Sequence, residues 1–452
     1  MKHAAVIDIG KTNAKVVLVD MATLSEVAVT KRPNQVLLGP SYPHYDVEGL
    51  WNFILVSLRD FQARHGVDGI TVTTHGASAA LLDENGQLAG PVLDYEHDGP
   101  DRLTAEYDAV RPDFAETGSP RLPMGLNLGA QLFWQFRTFP EIRLRTKRIL
   151  TYPQYWAWRL CGVAANEVTS LGCHTDLWVP REGYYSSLVE NQGWTDLMAP
   201  VAKAANILGS VLPEIVVQTG LDPATPVVCG IHDSNASLYA HLASRKPPFA
   251  VVSTGTWVIS MAVGGKDVKL DPARDTLINV NALGDPVPSA RFMGGREFEM
   301  LMGEGKHTAS EDDVAGVLKR QVMLLPAVET QSGPFQGRKA RWTVEESSMS
   351  AGERYAAISL YLAMMTATGL DISGAEGPVL VEGPFSNNSI YLTMLSAVTQ
   401  RPVEAVAGTG TSIGAARLLQ PGNPLTSSNA DAKICRDTNW RSYAASWRRL
   451  TV

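Results

Sequence analysis

The 452-residue chain contains only four cysteines, and no two of them form a CxxC pair. Cys161, Cys173, Cys229 and Cys435 are too few and too widely separated for a disulfide framework. The scarcity of cysteine therefore excludes a disulfide-stabilised scaffold. It predicts a reducing, cytoplasmic environment.

Long runs of one kind of residue are also missing. The formal net charge is −7, and there is no long Lys/Arg cluster of the kind that contact with nucleic-acid phosphates demands. No apolar run approaches the roughly 18 residues that a membrane span needs. The strand pattern that begins at Ala4 leaves no room for a signal peptide. We therefore expect a cytoplasmic protein with neither a nucleic-acid nor a membrane partner.

What the sequence does contain is ordinary for a globular enzyme. Apolar residues make up 45% of the chain and charged residues 19%. A chain of this length is expected to form two or three domains of roughly 100–200 residues each. A large apolar core can therefore form without disulfides.

Two stretches of the chain share one layout. The apolar residues 4–7 lead through the polar residues 8–13 into a second β-rich run at 15–20. About 245 residues later, Phe249–Val252 leads through the small residues 253–256 into another apolar run. Two β runs around a tight polar turn predict a hairpin. The repetition suggests two related domains.

Helical and strand patterns alternate between and after these hairpins. Residues 46–65 carry apolar residues at helical spacing, with Asp46 as the predicted N-cap, and Val67–Thr74 follows as a buried strand. Residues 351–369 and Pro378–Val381 repeat the helix–strand order. This alternation predicts an α/β fold. Lys246-Pro247-Pro248 is the predicted boundary, which gives domains at residues 1–245 and 246–452. The C-terminal tail with Trp440, Tyr443 and Trp447 predicts a packing helix rather than a site.

Both polar turns have the composition of a phosphate-binding loop. Such a loop needs several backbone N–H groups aimed at one point, and it therefore needs glycine and small polar residues. Asp8–Asn13 and Ser253–Thr256 have them, although neither has the P-loop spacing. Asp8 stands at a strand end, where a carboxylate could hold a hydrated Mg²⁺. The alternative for either loop alone is an ordinary hairpin turn.

A third polar corner follows the apolar run Pro226–Cys229. Asp233 lies here, in Gly230-Ile231-His232-Asp233-Ser234-Asn235. A carboxylate at a strand-to-helix corner can take a proton from a substrate hydroxyl as that hydroxyl attacks phosphorus. The alternative is that Asp233 only caps the helix Ser234–Leu242.

Two other motifs point to different enzymes. Ala407–Ala416 resembles a dinucleotide fingerprint, but it has one residue too many before the third glycine and lacks the strand and the acidic residue, so we reject a dehydrogenase. Gly76–Ala80 is half of a nucleophile elbow without its closing glycine. A hydrolase remains the second enzymatic interpretation.

Taken in order, the motifs resemble the FGGY family of carbohydrate kinases. Asp8–Lys15 is similar to that family's first phosphate loop, and Thr74-His75-Gly76 to its sugar-binding segment. Gly230–Asp233 is similar to its catalytic aspartate motif. Ser253–Thr256 resembles its second phosphate loop, and Gly383–Asn387 its adenosine loop. The resemblance covers about residues 4–418, nearly the whole chain.

The resemblance implies a fold and a set of roles. The fold would be two RNase H-like (actin-like ATPase) α/β domains with ATP in the cleft between them. The N-terminal domain would hold the sugar, and the C-terminal domain the nucleotide. Asp233 would be the general base, and Asp8 and Asp233 would organise Mg²⁺. Phosphate and nucleotide contacts would come from Asp8, Gly10, Lys11, Thr12, Asn13, Lys15, Thr254, Gly255, Thr256, Gly383, Pro384 and Asn387, and sugar contacts from Thr74, His75, Gly76, Tyr95 and Asp233.

The sequence departs from the family's pattern at several of these positions. Lys11 stands where a small residue is usual, and it could add charge near the phosphates; Gln131 replaces a frequent lysine. Glu382 and Pro384 occupy places that are usually glycine in the adenosine loop. Val92–Asp98 lies where substrate contacts are expected, but it matches no particular subgroup.

Two hypotheses from different classes follow. The first is an ATP-dependent kinase that phosphorylates a hydroxyl of a small ketose or polyol, and the presence of both Asp8 and Asp233 favours it. The second is a catalytically weak sugar-binding regulator on the same fold, which the altered adenosine loop favours. A chaperone-like or actin-like ATPase suits the His75 segment less well. The sequence leaves a homodimer open.

Overall fold

A computed structural model describes residues 1–303, 305–406, 410–421 and 434–451. The chain forms two compact units. The first unit contains residues 1–245 and 278–286, together with the described part of 409–426. The second contains residues 246–277 and 287–408, together with the described part of 427–452. Two stretches that follow residue 246 in the sequence thus belong to the first unit.

The first unit alternates strands with helices. Its strands are β1 His3–Ile9, β2 Asn13–Asp20, β3 Ser25–Pro33, β4 Val36–Leu37, β5 His44–Tyr45, β6 Gly69–Thr74, β7 Ala79–Leu82, β8 Arg148–Thr151, β9 Asn166–Glu167, β10 Trp178–Val179, β11 Tyr184–Tyr185, β12 Val201–Ala202, β13 Ile207–Ser210, β14 Pro226–Val228 and β15 Ile231–His232. Its helices are α1 Val47–His65, α2 Thr104–Asp108, α3 Phe114–Thr117, α4 Leu128–Thr138, α5 Pro140–Arg145, α6 Tyr152–Cys161, α7 Val168–Leu171, α8 Ser187–Asn191, α9 Pro213–Thr219 and α10 Asp233–Leu242.

The central sheet of this unit has the strand order β13-β14-β6-β1-β2-β3, and β15 also pairs with β6. Strands β1 and β2 form the predicted antiparallel hairpin, with Asp8 opposite Lys15. Strand β6 runs parallel to β1 and places Thr74 beside Ile9. Strands β1 and β15 each pair with β6 in parallel. The carboxyl ends of all three strands therefore lie at the same edge of the sheet. The chain segments that follow these ends meet at that edge.

Burial explains why the central strands form. Every residue of β1 is buried, as expected for a strand covered on both faces. Helix α1 packs its apolar stripe against this core, including Leu50, Ile54 and Leu58. The predicted N-cap is confirmed, since the Asp46 carboxylate accepts from the Gly49 N–H at 3.0 Å.

The second unit also alternates strands with helices, but it has fewer strands than the first. The elements that follow residue 246, in chain order, are β16 Phe249–Thr254, β17 Val258–Val263, β18 Thr276–Val280, β19 Pro286–Phe292, α11 Gly294–Met302, α12 Glu311–Arg320, β20 Leu324–Leu325, β21 Arg341–Trp342, α13 Ala351–Ile372, β22 Val379–Glu382, α14 Ser389–Thr399, β23 Val403–Ala405, α15 Gly410–Ala416 and α16 Thr438–Thr451. Of these, α15 and residues 278–280 of β18 belong to the first unit.

The second large sheet has the order β18-β19-β17-β16-β22-β23. Strands β16 and β17 form the second predicted hairpin, and β22 runs parallel to β16. An antiparallel hairpin whose first strand has a parallel neighbour is the arrangement of β1, β2 and β6 in the first unit. The predictions of a repeated hairpin and of an α/β fold are confirmed.

Two helices of the second unit bear on the sequence predictions. Helix α13 is long and apolar enough to cross a membrane by length and composition, contrary to our expectation that no such run exists. However, 78% of its apolar stretch is buried inside the protein, which is the position of a core helix. Helix α16 is the predicted packing helix, since the Trp447 Nε1–H donates to the Leu324 carbonyl at 2.9 Å and the Tyr443 hydroxyl to the Val322 carbonyl at 2.8 Å.

Candidate active site

The first loop lies at the turn between β1 and β2. The Gly10 N–H donates to the Asn13 carbonyl at 2.9 Å and closes the turn. The Asn34 side chain donates to the Gly10 carbonyl at 2.8 Å and holds the loop from the side. Thr12 and Asn13 are exposed at the tip. The loop is thus rigid at its base and open at its tip.

Asp8 and Lys15 face one another at the base of this loop. They are cross-strand partners, and the Lys15 Nζ lies 3.2 Å from an Asp8 carboxylate oxygen. Burial raises the pKa of Asp8; Lys15 opposes that shift and Asp233 adds to it. The Ser412 side chain, on α15, lies close enough to Asp8 to oppose the rise in its pKa. Asp8, Lys15, Asp233 and Ser412 therefore share one locality within the first unit.

Helix α15 comes this close because it carries a glycine. A Cβ on Gly414 would lie 1.8 Å from the Ala236 carbonyl oxygen of α10, so only glycine permits this helix contact. Ser412 precedes Gly414 on the same short helix. Sequence reasoning met Ser412 and Gly414 within the rejected Ala407–Ala416 motif and gave neither a role in the site. The pairing of α15 with α10 is a tertiary contact that no local pattern indicates.

Asp233 is the first residue of α10, directly after β15. Its carboxylate accepts from the adjacent Ser234 N–H at 2.6 Å, and the N-cap position belongs to His232, whose side chain makes no capping hydrogen bond. A capping side chain would instead bind the N–H groups two or three residues on. The geometry therefore differs from the alternative in which Asp233 only caps Ser234–Leu242. Burial raises the pKa of Asp233, and His75 opposes that shift.

His232 supports Asp233 from the side. Its Nε2 lies 3.2 Å from the Asp233 Oδ1, and its Nδ1 lies 3.3 Å from the Asn235 amide nitrogen. An amide nitrogen only donates, so Nδ1 accepts and Nε2 carries the hydrogen that faces Asp233. Burial lowers the pKa of His232 to about 4. Sequence reasoning did not single out His232 or Asn235.

His75 follows β6 and lies among aromatic rings. Its ring centroid is 5.1 Å from those of Tyr45 and Tyr152, and 5.3 Å from that of Tyr95. Its Nδ1 lies 2.8 Å from the Gly76 carbonyl, which can only accept, so Nδ1 carries the hydrogen. The Nε2 atom is therefore an acceptor, and it is buried without a partner among the described residues. Burial lowers the pKa of His75 to about 4.

The neighbours of His75 have different tasks. Thr74 is fully buried and its hydroxyl donates to the His75 carbonyl at 2.8 Å. A Cβ on Gly76 would lie 2.9 Å from the His232 Nε2, so Gly76 leaves the space in which His232 reaches Asp233. Thr74 and Gly76, both predicted sugar contacts, thus hold the histidines in place.

Residues 92–98 bring further charge to this site. The ammonium of Lys11 bonds the Asp94 carboxylate and lies 3.2 Å from a Glu96 carboxylate oxygen. It also lies over the rings of Tyr45 and Tyr95, at 5.3 and 5.0 Å from their centroids. Sequence reasoning placed Lys11 near the phosphates and expected substrate contacts within residues 92–98, without singling out Asp94 or Glu96. Only the tertiary structure pairs them.

The second loop lies at the turn between β16 and β17 in the second unit. The Gly255 N–H donates to the Trp257 carbonyl at 3.0 Å, and Gly255 and Thr256 are exposed. Thr254 is buried instead. Its hydroxyl donates to the Glu382 carbonyl and accepts from the Phe385 N–H at 3.1 Å. Thr254 thus ties this loop to the predicted adenosine loop.

The predicted adenosine loop begins where β22 ends. Gly383 has a φ of 81°, and a Cβ there would lie 1.9 Å from the Thr254 carbonyl oxygen. Only glycine fits this position. Pro384 and Asn387 are exposed on the short 3₁₀ turn that follows. Glu382, a departure from the family's glycines, is buried at the end of β22 with its backbone opposite Ser253.

The structure therefore gathers the predicted site residues into two groups. The first unit holds Asp8, Gly10, Lys11, Thr12, Asn13, Lys15, Thr74, His75, Gly76, Tyr95 and Asp233, and the second unit holds Thr254, Gly255, Thr256, Gly383, Pro384 and Asn387. Among the described residues, no group of three or more His, Cys, Asp or Glu side chains could hold a metal ion. The two neighbouring carboxylates of Asp8 and Asp233 still fit Mg²⁺, which typically takes one or two carboxylates and completes its shell with water and phosphate oxygens.

The nucleophile elbow of a hydrolase is absent from residues 76–80. Such an elbow needs a strand, a sharp turn and then a helix. Here the turn leads into strand β7, and Ser78 is buried. The hydrolase interpretation is wrong. The region 407–409 of the rejected dinucleotide motif lies outside the described residues.

Family models match both halves of the chain. Residues 3–240 match the N-terminal domain of the FGGY family of carbohydrate kinases, and residues 246–427 match the C-terminal domain of carbohydrate kinase FGGY.

Individual relatives agree with these matches. A carbohydrate kinase from Novosphingobium aromaticivorans, known from its crystal structure, is 36% identical, with a TM-score of 0.90 over 99% of this chain and 98% of that one. An L-fuculokinase from Salmonella typhi is 25% identical over 205 residues, 44% of this chain and 42% of that protein. A xylulose kinase from Bacillus subtilis is 23% identical over 52% of this chain and 48% of that protein. The matched regions thus span less than half the length of these two curated relatives.

Proposed function

The chain belongs to the FGGY family of carbohydrate kinases, which have the two-domain actin-like ATPase fold, and from this we propose that it is an ATP-dependent sugar kinase. Its acceptor would be a small ketose or polyol, and its donor ATP. The observation that carries the proposal is the grouping of Asp233, Asp8 and the orphaned His75 Nε2 in one locality of the first unit. Together they offer a proton acceptor, a cation site and an acceptor for a hydroxyl hydrogen.

Asp233 would act as the general base. The acceptor's hydroxyl oxygen bonds to the γ-phosphorus of ATP, the bond from that phosphorus to the β,γ-bridging oxygen breaks, and ADP leaves. The hydroxyl proton passes to Asp233. A raised pKa makes a carboxylate a better proton acceptor, and burial raises that of Asp233. The hydrogen on His232 Nε2 would hold one carboxylate oxygen and leave the other for the substrate.

Asp8 and Asp233 would hold Mg²⁺. The charge of Asp233 raises the pKa of Asp8, as expected for two carboxylates close enough to share a cation. The ion, when bound with ATP, neutralises charge on the phosphate oxygens. Lys15 would keep Asp8 oriented toward this locality. The exposed N–H groups and side chains of Thr12 and Asn13 would line the phosphate path.

His75 would orient the sugar. Its Nε2 accepts but cannot donate while Nδ1 bonds Gly76, so the complementary ligand atom is a donor. A sugar hydroxyl is such a donor. The rings around His75, among them Tyr95, offer the apolar faces on which sugar C–H groups pack.

We assign the nucleotide to the second unit. Gly255 and Thr256 would contact phosphate, and Pro384 and Asn387 would flank the adenosine at the exposed turn that Thr254 braces. In domain terms, residues 1–245 would carry the sugar and the first phosphate loop, and residues 246–452 the nucleotide site. We also place the enzyme in the cytoplasm, where ATP is available.

The named relatives narrow the acceptor class. L-fuculokinase, xylulose kinase and rhamnulokinase are named for ketoses, so we place ketoses ahead of polyols. A catalytically weak regulator is not favoured, since these relatives are kinases.

An ADP-release screen tests the proposal. The purified 452-residue chain would receive Mg²⁺-ATP and, in turn, L-fuculose, D-xylulose, L-rhamnulose and glycerol. We expect acceptor-dependent ADP release with at least one ketose, and its loss on adding EDTA. ATP and ketose binding without ADP release for any member would favour the regulator instead.

A further inference from the structure

Lys11 ends among acidic and aromatic side chains of the first unit. Its side chain is only 18% exposed, and its ammonium contacts Asp94 and Glu96 above the rings of Tyr45 and Tyr95. An ammonium with two carboxylate partners and two ring faces has few hydrogens left for a phosphate. Although Lys11 belongs to the first loop by sequence, its charge therefore acts on Asp94 and Glu96 rather than on a phosphate.

The same partners surround His75. Tyr45 and Tyr95 both contact the His75 ring, and the charge of Lys11 contributes to the low pKa of His75. Asp94 is itself held in place, because the Tyr45 hydroxyl donates to it at 3.3 Å and the Glu96 N–H at 3.1 Å. Lys11 thus belongs to one connected network with the proposed sugar ligand His75.

Lys15 provides the contrast within the same hairpin. It lies four residues further on and pairs with Asp8, which belongs to the proposed metal and phosphate side. The hairpin therefore directs two lysines to two different acidic partners. One ammonium serves the phosphate side, and the other lies on the side of the sugar ligand.

We propose that Lys11, together with Asp94 and Glu96, determines acceptor specificity and selects an uncharged sugar over a sugar acid. This proposal rests on the sugar-kinase function proposed above. Lys11, Asp94 and Glu96 together place one cation against two carboxylates, and the charge of Asp233 also acts on the adjacent Tyr95. A carboxylate on the acceptor would therefore meet net negative charge. A neutral sugar avoids that repulsion, and its hydroxyls can donate to the carboxylates.

The first test compares Lys11→Met with the wild type. Titration calorimetry would measure affinity for a non-hydrolysable ATP analogue and for whichever ketose of the screen gives the fastest ADP release. We expect ketose affinity to fall about tenfold or more and nucleotide affinity to change less than about twofold. Lys11→Arg, which keeps the charge, should recover part of the ketose affinity. Lys266→Met is the matched control, since Lys266 pairs with Glu376 in the second unit, and it should alter neither affinity.

The opposite result would overturn the proposal. If Lys11→Met lowers the affinity for the nucleotide and leaves the affinity for the ketose unchanged, Lys11 is a phosphate ligand. If the wild type binds no ketose and releases no ADP with any acceptor, the sugar-kinase function fails instead. The two failures are therefore distinguishable.

The second test addresses charge selection. We expect the wild type to bind D-gluconate at least about tenfold more weakly than the best ketose. Asp94→Asn and Glu96→Gln should each narrow that ratio, and Asp94→Asn more strongly, because the Asp94 side chain is 10% exposed and that of Glu96 56%. Glu96→Gln keeps the test valid if Asp94→Asn does not fold. Equal affinity of the wild type for gluconate and ketose would contradict the proposal.

Discussion

The two hairpin loops share a scaffold and differ in chemistry. Each joins an antiparallel pair whose first strand also has a parallel neighbour. The loop in the first unit stands among the ionisable groups Asp8, Lys11 and Lys15. The corresponding loop in the second unit is held by the neutral hydroxyl of Thr254. The same local arrangement thus presents charged side chains at the first loop, whereas at the second loop a neutral side chain fixes the backbone.

This difference separates two kinds of contribution. Charged groups near the first loop are suited to taking a proton or holding a cation, so changing them should alter catalysis more than folding. Buried neutral groups near the second loop satisfy backbone atoms, so changing them should alter folding first. Each prediction below tests one side of that division.

The largest effect is expected at Asp233. Asp233→Asn keeps the size and can still accept from the Ser234 N–H, but it cannot take the hydroxyl proton. We expect kcat to fall about 10²–10⁴-fold with the melting temperature nearly unchanged. Asp222→Asn is the matched control, since Asp222 also accepts from a backbone N–H, that of Ala224, in an exposed turn. A kcat for Asp233→Asn within about threefold of the wild type would refute the assignment.

Gly383 should show the opposite behaviour. An alanine there would have its Cβ 1.9 Å from the Thr254 carbonyl oxygen at a φ of 81°, so the loop must shift. We expect Gly383→Ala to lower the free energy of unfolding by about 3 kcal/mol and to weaken the binding of ATP. Gly10→Ala, whose Cβ would lie 3.2 Å from the Asn13 carbonyl oxygen, should cost about 1 kcal/mol or less. If urea unfolding shows the same loss of stability for Gly383→Ala and Gly10→Ala, the two loops do not differ in how strictly they require glycine.

Each unit also contains one buried glutamate whose burial raises its pKa to about 7, from an ordinary value of 4.5. Glu167 accepts from the Thr169 and Ser170 N–H groups in the first unit, and Glu297 from the Tyr361 hydroxyl in the second. Above pH 4.5 the unfolded chain releases these protons while the folded chain keeps them. Stability is therefore lost as pH rises through 7.

Replacement by glutamine tests this pH dependence. Relative to Glu167→Gln or Glu297→Gln, the wild type should lose about 2 kcal/mol per group between pH 5 and pH 7 in urea unfolding. The double variant should show a still weaker dependence of the free energy of unfolding on pH. If its pH dependence is as steep as that of the wild type, other titratable groups are responsible for it.

Thr254 and Thr12 occupy corresponding loops with different burial. Thr254→Val leaves the Phe385 N–H without its acceptor, and we expect the free energy of unfolding to fall by about 1.5 kcal/mol. Thr254→Ser should restore most of it. Thr12→Val at the exposed tip should leave stability unchanged and raise the KM for ATP. A stability loss at Thr12 equal to that at Thr254 would contradict the comparison.

The smallest predicted effect concerns His75. His75→Phe keeps a ring among Tyr45, Tyr95 and Tyr152 but removes the Nε2 acceptor. We expect the ketose KM to rise about tenfold, as one lost hydrogen bond predicts, with the ATP KM nearly constant. His44→Phe is the control, because the His44 Nδ1 likewise donates to a carbonyl, that of Tyr42. Parallel losses for both ligands with a lower melting temperature would indicate a purely structural histidine.

Local patterns were sufficient to predict much of the scaffold. The hairpins at residues 8–13 and 253–256, the Asp46 cap and the packing helix with Trp447 are all present. Each depends on neighbours a few residues apart, through alternating burial, helical spacing or a capping side chain. The position of Asp233 at a strand-to-helix corner was predictable for the same reason.

The sequence by itself therefore determined the local elements, the order of the motifs and, through that order, the family. Only the tertiary structure decided which side chains meet. Lys11 reaches Asp94 across 83 residues, and Ser412 reaches Asp8 from the far end of the chain. Such pairs depend on sheet register and on helix contacts as close as that of Gly414 with α10, and no periodicity along the chain encodes them. The chemistry of the first loop follows from these long-range contacts.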